Sequence, residues 1–452
     1  MSPLWPRRKS MAAVAAAAAA AELRPSASFV GEEVDGEGAP LVRALFAAAS
    51  AAGGSAAGGE KGGRPNQDFH FALETAVGLV VGIFDGHGGA HGAIASQAAA
   101  RAMEEWLSEP EHAHSLVDDA QSALAELFLE GHVAALDAIG RASGCVDEGG
   151  KWSAGGPEVD SRVRVPLDAE TRLPVEGGTT ATVVALVNGR QLLIAHVGDS
   201  DAVLGGDSID GGGVSAEKLT ADHTPCSVTE YMRTRALGGA GAKLSFVYDC
   251  PTAELLHVFD TDGEVPAVSM DSAEKADLRG VGYKSVRAER PALIVGAPSK
   301  AGAPPPRLAV TRSLGDALLQ TQGLTWKPEV TLLDLSEPVE SLEPLILLVG
   351  SDGLWDLWQF DEAVEEVLAS GHDLTTQRGV QEANDSLLAL TQQKGEELLG
   401  HSTDDTTTVL ISLLPLPRVE HAARDSPAAN AARVPPRRAA ESEEDEEEEE
   451  WA

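Results

Sequence analysis

Two stretches of the chain, residues 77–84 and 345–350, run almost without a polar position. Short apolar runs rich in Val, Ile and Leu and bounded by glycine predict strands buried on both faces. Each ends in an acid: VGLVVGIFDGHGG carries Asp85 to the end of the first strand, and LILLVGSDGLWD carries Asp352 to the end of the second. Residues 69–73 alternate and join 77–84 through a short polar turn, which predicts a strand pair. Residues 179–186, 191–197 and 201–204 read as an antiparallel meander, its first two strands joined at Asn188-Gly189, a hairpin signal. Strands are further expected over 329–335 and 407–414.

Helical spacing takes over between these batches. Residues 90–107 hold strong helix formers and no proline, and 115–139 place Leu116, Leu124, Leu127, Phe128 and Val133 at helical intervals. Further helices are expected over 228–237, 313–320, 361–369 and 381–393. Strands in two batches, with helices clustered rather than alternating one for one, favour an antiparallel sandwich flanked by helices over a doubly wound parallel sheet. Residues 1–61, rich in Ala and Gly, read as a low-complexity, disordered leader; 62–414 as one domain; 415–452 as a disordered acidic tail. Within the domain, residues 245–306 mix short apolar pieces with acids and a proline run and read as an insertion. A loop or a substrate-selecting flap are both open for it.

Composition narrows the partners. Across 452 residues the formal net charge is -37, which argues against binding nucleic acid or anionic membranes, both polyanions. The run 441–450 predicts a solvated tail, with contact to a basic partner as the alternative. Three cysteines, Cys145, Cys226 and Cys250, are odd in number and lack CxxC spacing, so neither a disulfide framework nor a cysteine zinc site is expected. An intracellular protein of cytoplasm or nucleus fits best, although the basic, alanine-rich N-terminus is also compatible with organellar or secretory targeting. No run is long enough to be a transmembrane helix. Nothing points to an obligate dimer, and a monomer is expected.

The chemistry starts at the strand ends. A carboxylate forced out of an apolar strand beside glycines, with no basic residue within several positions, calls for a cation, or else serves only to cap a turn. Asp85 alone leaves those readings even. Asp352 repeats the design, and Asp404 stands just before the strand expected at 407–414. Three acids far apart in sequence but all at strand ends suit hard divalent ions such as Mg2+ or Mn2+, which take oxygen ligands and retain waters.

Taken together, RPNQDF at Arg64, FDGHGG at Phe84, GGTTA at Gly177, AHVGDSDAVL at Ala195, LTADHTP at Leu219, LAVTRSLGD at Leu308, SDGLWD at Ser351 and STDDTTTV at Ser402 resemble the metal-dependent PPM-type (type 2C) serine/threonine protein phosphatases. The resemblance runs in the family's order over residues 62–414. It implies a four-layer αββα fold of the α+β class, with two Mg2+ or Mn2+ ions at one end of the sandwich. Asp85 would bridge the ions, the Gly86 carbonyl would bind one, and Asp352 and Asp404 would complete the other. Gln67 would act on the metal shell through water, and Asp199 and Asp356 match positions that hold a third, weaker ion. Water between two dications has a sharply lowered pKa and attacks phosphorus in line, while His87 protonates the leaving serine or threonine oxygen. Phosphorylated proteins would be the substrates.

The chain departs from that pattern in four places. Where many members carry a phosphate-binding Arg, Gly63 stands, with Arg64 one residue later. Gln67 replaces an acid, Asp201 follows GDS where Arg is common, and Asp405 occupies a position usually Asn. Two rival readings are an inactive scaffold that binds phosphoproteins and a phosphoesterase acting on small molecules.

Overall fold

The structure, a computed structural model, describes residues 40–53, 65–145, 162–163, 165–168, 170, 173–238, 244–250, 255–261, 266–275, 286, 290–300, 302–399 and 403–417. Gly63, Arg64, most of the expected leader and almost all of the expected acidic tail lie outside these residues.

Two five-stranded antiparallel sheets form the centre. One runs, edge to edge, Val42–Ala51, Thr406–Pro415, Leu342–Gly350, Asp201–Ser208, Val214–Lys218; the other runs Glu329–Asp334, Gln191–Val197, Ala181–Val187, Gly78–Phe84, Phe69–Thr75. Period-two alternation sorts the apolar side chains of each strand between two cores. Leu79, Val81 and Ile83 meet Leu347, Val349, Val409 and Ile411 between the sheets. Val80 and Phe84, on the other face of the same strand, pack with Met103, Leu107, Leu127 and Phe128 of helices Gly92–Ser108 and Ala120–Ala142. The outer face of the first sheet is covered by Phe360–Ala369 and Gln377–Leu399 through Val364, Val367, Val380 and Leu387. Because both faces of the central strands are covered, their sequences read as unbroken apolar runs. The result is the expected αββα layering.

Three expectations need correction. Residues 42–51, assigned to the leader, form an edge strand that pairs from Val42↔Pro415 to Ala51↔Thr406. Its sequence, VRALFAAASA, is dominated by alanine, which hid a strand whose Val42, Phe46 and Ala48 reach the central core. Instead of a helix over 313–320, Leu314–Gly315 pairs with Gly178–Thr179, and only Ala317–Gln320 is helical. The insertion is not merely loop. Ser245–Tyr248, Ala292–Val295 and Arg307–Leu308 form a small sheet, and Phe246, Phe259 and Tyr231 make an aromatic cluster beneath it.

Candidate metal centre

Strand Gly78–Phe84 is buried throughout and stops at Asp85, whose backbone is then held on both sides. Thr180 N (2.8 Å) and Thr179 Oγ1 (2.9 Å) donate to its carbonyl, and its own N–H donates to Thr180 Oγ1 (3.1 Å). The next residue must be glycine for steric reasons: a Cβ on Gly86 would lie 2.4 Å from Gly92 O and 2.6 Å from Gln67 O. Gly86 N instead donates to Gln67 O at 3.2 Å, which fastens the residue 67 loop across the strand end.

The first sheet supplies the remaining acids. Leu342–Gly350 passes through Ser351 into a single helical turn, Asp352–Trp355. Trp355, buried in the core, donates its indole N–H to Gly350 O and Asp201 O, so the turn is anchored from beneath. Asp404 precedes Thr406–Pro415, the neighbouring strand. Pairing of those two strands, and packing of the two sheets face to face, thus bring residues 85, 352 and 404 to one end of the sandwich.

The electrostatics are those of crowded carboxylates. Burial, then the charges of Asp68, Asp352 and Asp404, push the Asp85 carboxyl well above the ordinary range, and it is hydrogen-bonded to the Asp352 side chain. Asp199, at the end of Gln191–Val197, is raised to about 7 by burial and by Asp352 and Asp201. Asp356 follows Asp352 by one turn, its N–H donating to Asp352 O at 2.7 Å.

Asp68 belongs to the same cluster, a role the sequence reading gave only to its neighbour Gln67. Its carboxyl sits at about 7, lifted by burial and by Asp352 and Asp405, against hydrogen bonds from Ser351 and Thr407. Ser351 Oγ donates to Asp68 Oδ2 at 2.8 Å, while Oδ1 is buried with no hydrogen bond. Gln67, 1 % exposed, donates its amide to Gly89 O, and its Oε1 is likewise buried and unsatisfied. A signal for Asp68 was present, since an acid followed Gln67 within one motif.

Two departures from the family pattern have local explanations. Asp405 borders the acid cluster, where its charge acts on Asp68, but its carboxylate is engaged elsewhere: it accepts from Gly53 N (2.8 Å) and Gln67 N (2.7 Å), tying the first strand's end and the residue 67 loop together. Asp201 is neutralised by Lys218 Nζ at 3.0 Å and accepts from Thr220 Oγ1 at 2.7 Å.

Do these residues suit a hard divalent ion? Among the described residues, no three His, Cys, Asp or Glu side chains already form a cage for one. The donor set nevertheless fits. It is made of carboxylate oxygens, every charge displacing the Asp85 carboxyl is another acid, and two buried oxygens beside it, Asp68 Oδ1 and Gln67 Oε1, lack donors. A cation would offset the mutual repulsion. His87 stands at the edge, one quarter exposed, with Nε2 2.6 Å from Asp316 Oδ2. Burial would lower its pKa, but Asp316, with lesser contributions from Asp199 and Asp352, raises it overall. Asp316, the last residue of LAVTRSLGD, was not singled out from the sequence.

The insertion reaches this end of the molecule as well. Val286 N donates to Asp356 O at 2.9 Å, and Gln359 Nε2 donates to Val286 O at 3.2 Å.

The fold and the motifs have counterparts. The pattern of the protein phosphatase 2C family matches residues 157–249 and 283–397, stretches that include Asp199, Asp316, Asp352 and Asp356 but not Asp85 or Asp404. A probable protein phosphatase 2C 12 of Oryza sativa subsp. japonica is 32 % identical over 206 residues, 46 % of this chain and 40 % of the rice protein. A probable protein phosphatase 2C 22 of Arabidopsis thaliana is 24 % identical over 354 residues, covering 76 % of this chain and 61 % of the plant protein. The chain thus spans about half the length of the curated relatives it matches. A serine-threonine phosphatase 2C of Toxoplasma gondii superposes with a TM-score of 0.53 at 16 % identity, over 83 % of this chain and 96 % of the other. With the acid cluster at the end of a two-sheet sandwich and the motifs in order along it, this chain belongs to the protein phosphatase 2C family.

Proposed function

We propose that the protein is a serine/threonine protein phosphatase that uses Mg2+ or Mn2+ to hydrolyse phosphoserine and phosphothreonine in protein substrates. The observation that carries this is the meeting of Asp85, Asp352 and Asp404, with Asp68, at one end of the sandwich although up to 336 positions separate them along the chain. A pair of hard divalent ions would supply Lewis acidity there, lowering the pKa of water and offsetting charge on the phosphoryl oxygens. Asp85, the Gly86 carbonyl, Asp352 and Asp404 are the residues to hold them; Gln67 and Asp68 would orient shell waters, and Asp199 and Asp356 would serve a third, weaker ion.

The chain's own groups then account for the proton inventory. Water attacks phosphorus and gives up a proton to solvent, the bond from phosphorus to the serine or threonine oxygen breaks, that oxygen takes a proton from His87, and His87 regains one from solvent. A histidine whose pKa is raised by a carboxylate partner holds that proton near neutral pH. Arg64 would contact the substrate phosphate. We further infer a monomer of cytoplasm or nucleus, with the acidic run 441–450 available to a basic partner; among the described residues no helix is long and apolar enough to cross a membrane.

The test is turnover of a phosphothreonine peptide with Mn2+, with EDTA, and by Asp352→Asn. Loss of turnover under both perturbations supports the proposal. Turnover that survives both overturns it. A parallel panel of small phosphate esters separates a protein phosphatase from a metabolite phosphoesterase.

A further inference from the structure

We propose that Asp316 is a positioning residue for the leaving-group proton: its carboxylate holds the His87 ring through Nε2 and leaves Nδ1 as the atom that protonates the departing oxygen. The inference rests on the proton-donor role proposed for His87 and assigns a partner and an atom to it.

The geometry is built around one oxygen. Asp316 Oδ2 lies 2.6 Å from His87 Nε2 and accepts from Ser313 Oγ at 2.5 Å, in a pocket where the Asp316 side chain is 5 % exposed. A carboxylate oxygen at that distance fixes the ring's tautomer, because Nε2 must carry the hydrogen it donates. Among the described residues no hydrogen bond engages His87 Nδ1, and the ring keeps a quarter of its surface toward solvent.

The backbone around Asp316 is arranged for this contact. Asp316 adopts φ 47°, a left-handed conformation that costs a non-glycine residue on the order of 1 kcal/mol. It is held there by Asp316 N to Gly177 O (2.9 Å) and by the preceding Gly315 N to His132 Nδ1 (3.0 Å). His132 is fully buried, and its pKa, pushed down to about 3 by burial, keeps the ring a neutral acceptor. The glycine pair of GGTTA makes room: a Cβ on Gly178 would sit 2.2 Å from Asp316 Oδ2. Glu176, which also feels both Asp316 and His87, does not compete as an anion, since burial and Asp316 raise its carboxyl to about 8. A left-handed aspartate, a glycine-lined approach and a serine donor all serve to place one oxygen at His87.

The experiment compares two substrates. A phosphothreonine peptide expels an alkoxide that needs a proton, whereas p-nitrophenyl phosphate expels a stabilised phenolate that does not. Asp316→Asn is expected to lower kcat on the peptide about 10- to 100-fold with KM within a few-fold, and kcat on the aryl ester by less than about threefold. His87→Gln should show the same selectivity. Ser313→Ala, which leaves the carboxylate but removes one of its fixing bonds, should show a smaller loss of the same kind and guards against misfolding of the first variant. In 15N spectra of the metal-free protein, His87 should be protonated at Nε2 in the wild type and lose that preference in Asp316→Asn. Equal losses on both substrates in Asp316→Asn, beside a selective loss in His87→Gln, overturn the role given to Asp316 and leave His87 as donor. Equal losses in His87→Gln overturn the donor reading and this inference with it.

Discussion

Glu230 offers a quantitative check on what holds the motif segments in place. The residue is 1 % exposed, on helix Val228–Ala236, and its two oxygens are shared by two arginines. Arg312 Nε (3.0 Å) and Nη2 (2.6 Å) donate to Oε1; Arg233 Nε (3.0 Å) and Thr311 Oγ1 (2.8 Å) donate to Oε2. Burial alone would raise the carboxyl, but the guanidinium groups overcome it and bring the pKa from 4.5 to about 2. That displacement corresponds to roughly 3 kcal/mol of stability at neutral pH, at about 1.4 kcal/mol per tenfold change in proton affinity. Because the folded-state pKa is the lower one, this stability is complete above about pH 4.5 and is lost as pH falls toward about 2. Glu230→Gln removes the anion and leaves Arg312 with Glu329 at 3.4 Å as its remaining acid partner. We expect the variant to be less stable by about 3 kcal/mol near pH 7 in urea unfolding, and this deficit to shrink by about 1 kcal/mol near pH 3.5, where the wild type has begun to lose its advantage. A deficit of the same size at both pH values would refute the assignment of the depressed pKa to this network. Since Arg312 lies in LAVTRSLGD, four residues before Asp316, the same change should also lower turnover.

Other perturbations follow from the site. Asp405→Ala should cost about 1–3 kcal/mol, because the buried N–H of Gln67 loses its acceptor, and should raise the Mn2+ concentration for half-maximal activity; unfolding and metal titrations that match the wild type would contradict this. Asp85→Asn should make the metal-free protein more stable by about 1–2 kcal/mol, since it removes one of several repelling acids, while abolishing turnover. Calorimetry should then find that Mn2+ at about a hundred times its Kd stabilises the wild type by about 2.7 kcal/mol and this variant hardly at all. Gly178→Ala, whose new methyl group would meet Asp316 Oδ2 at 2.2 Å and Leu314 O at 2.6 Å, should lower peptide turnover at least about tenfold; steady-state kinetics on the two substrates used for Asp316 provide the check.

Local patterns made much of this molecule legible. The strands at Gly78–Phe84, Ala181–Val187 and Gln191–Val197 announce themselves by apolar runs and a hairpin dipeptide, and the long helices by their spacing. The alanine-rich strand Val42–Ala51 did not, because alanine carries little strand preference of its own and the strand is defined by its pairing with Thr406–Pro415. The segment at 313–320 misled for a related reason: its residues favour helix, but Leu314 and Gly315 find backbone partners in Thr179 and Gly178.

For the centre itself, the sequence by itself determined which acids stand at the ends of buried strands, since an apolar run that stops at Asp85 or Asp352 must release that carboxylate at its edge. It also set the expectation of a hard cation, rather than a polyanion, as the partner. Only the tertiary structure decided that Asp68 stands among those acids, that Asp405 and Asp201 at their border bind backbone N–H groups and Lys218, and that His87 meets Asp316 across 229 positions. The physical reason is range. Periodicity and turn chemistry act over a few residues, whereas the contacts that set a carboxylate's charge and direction are made between strands and loops that only the packed sandwich brings together.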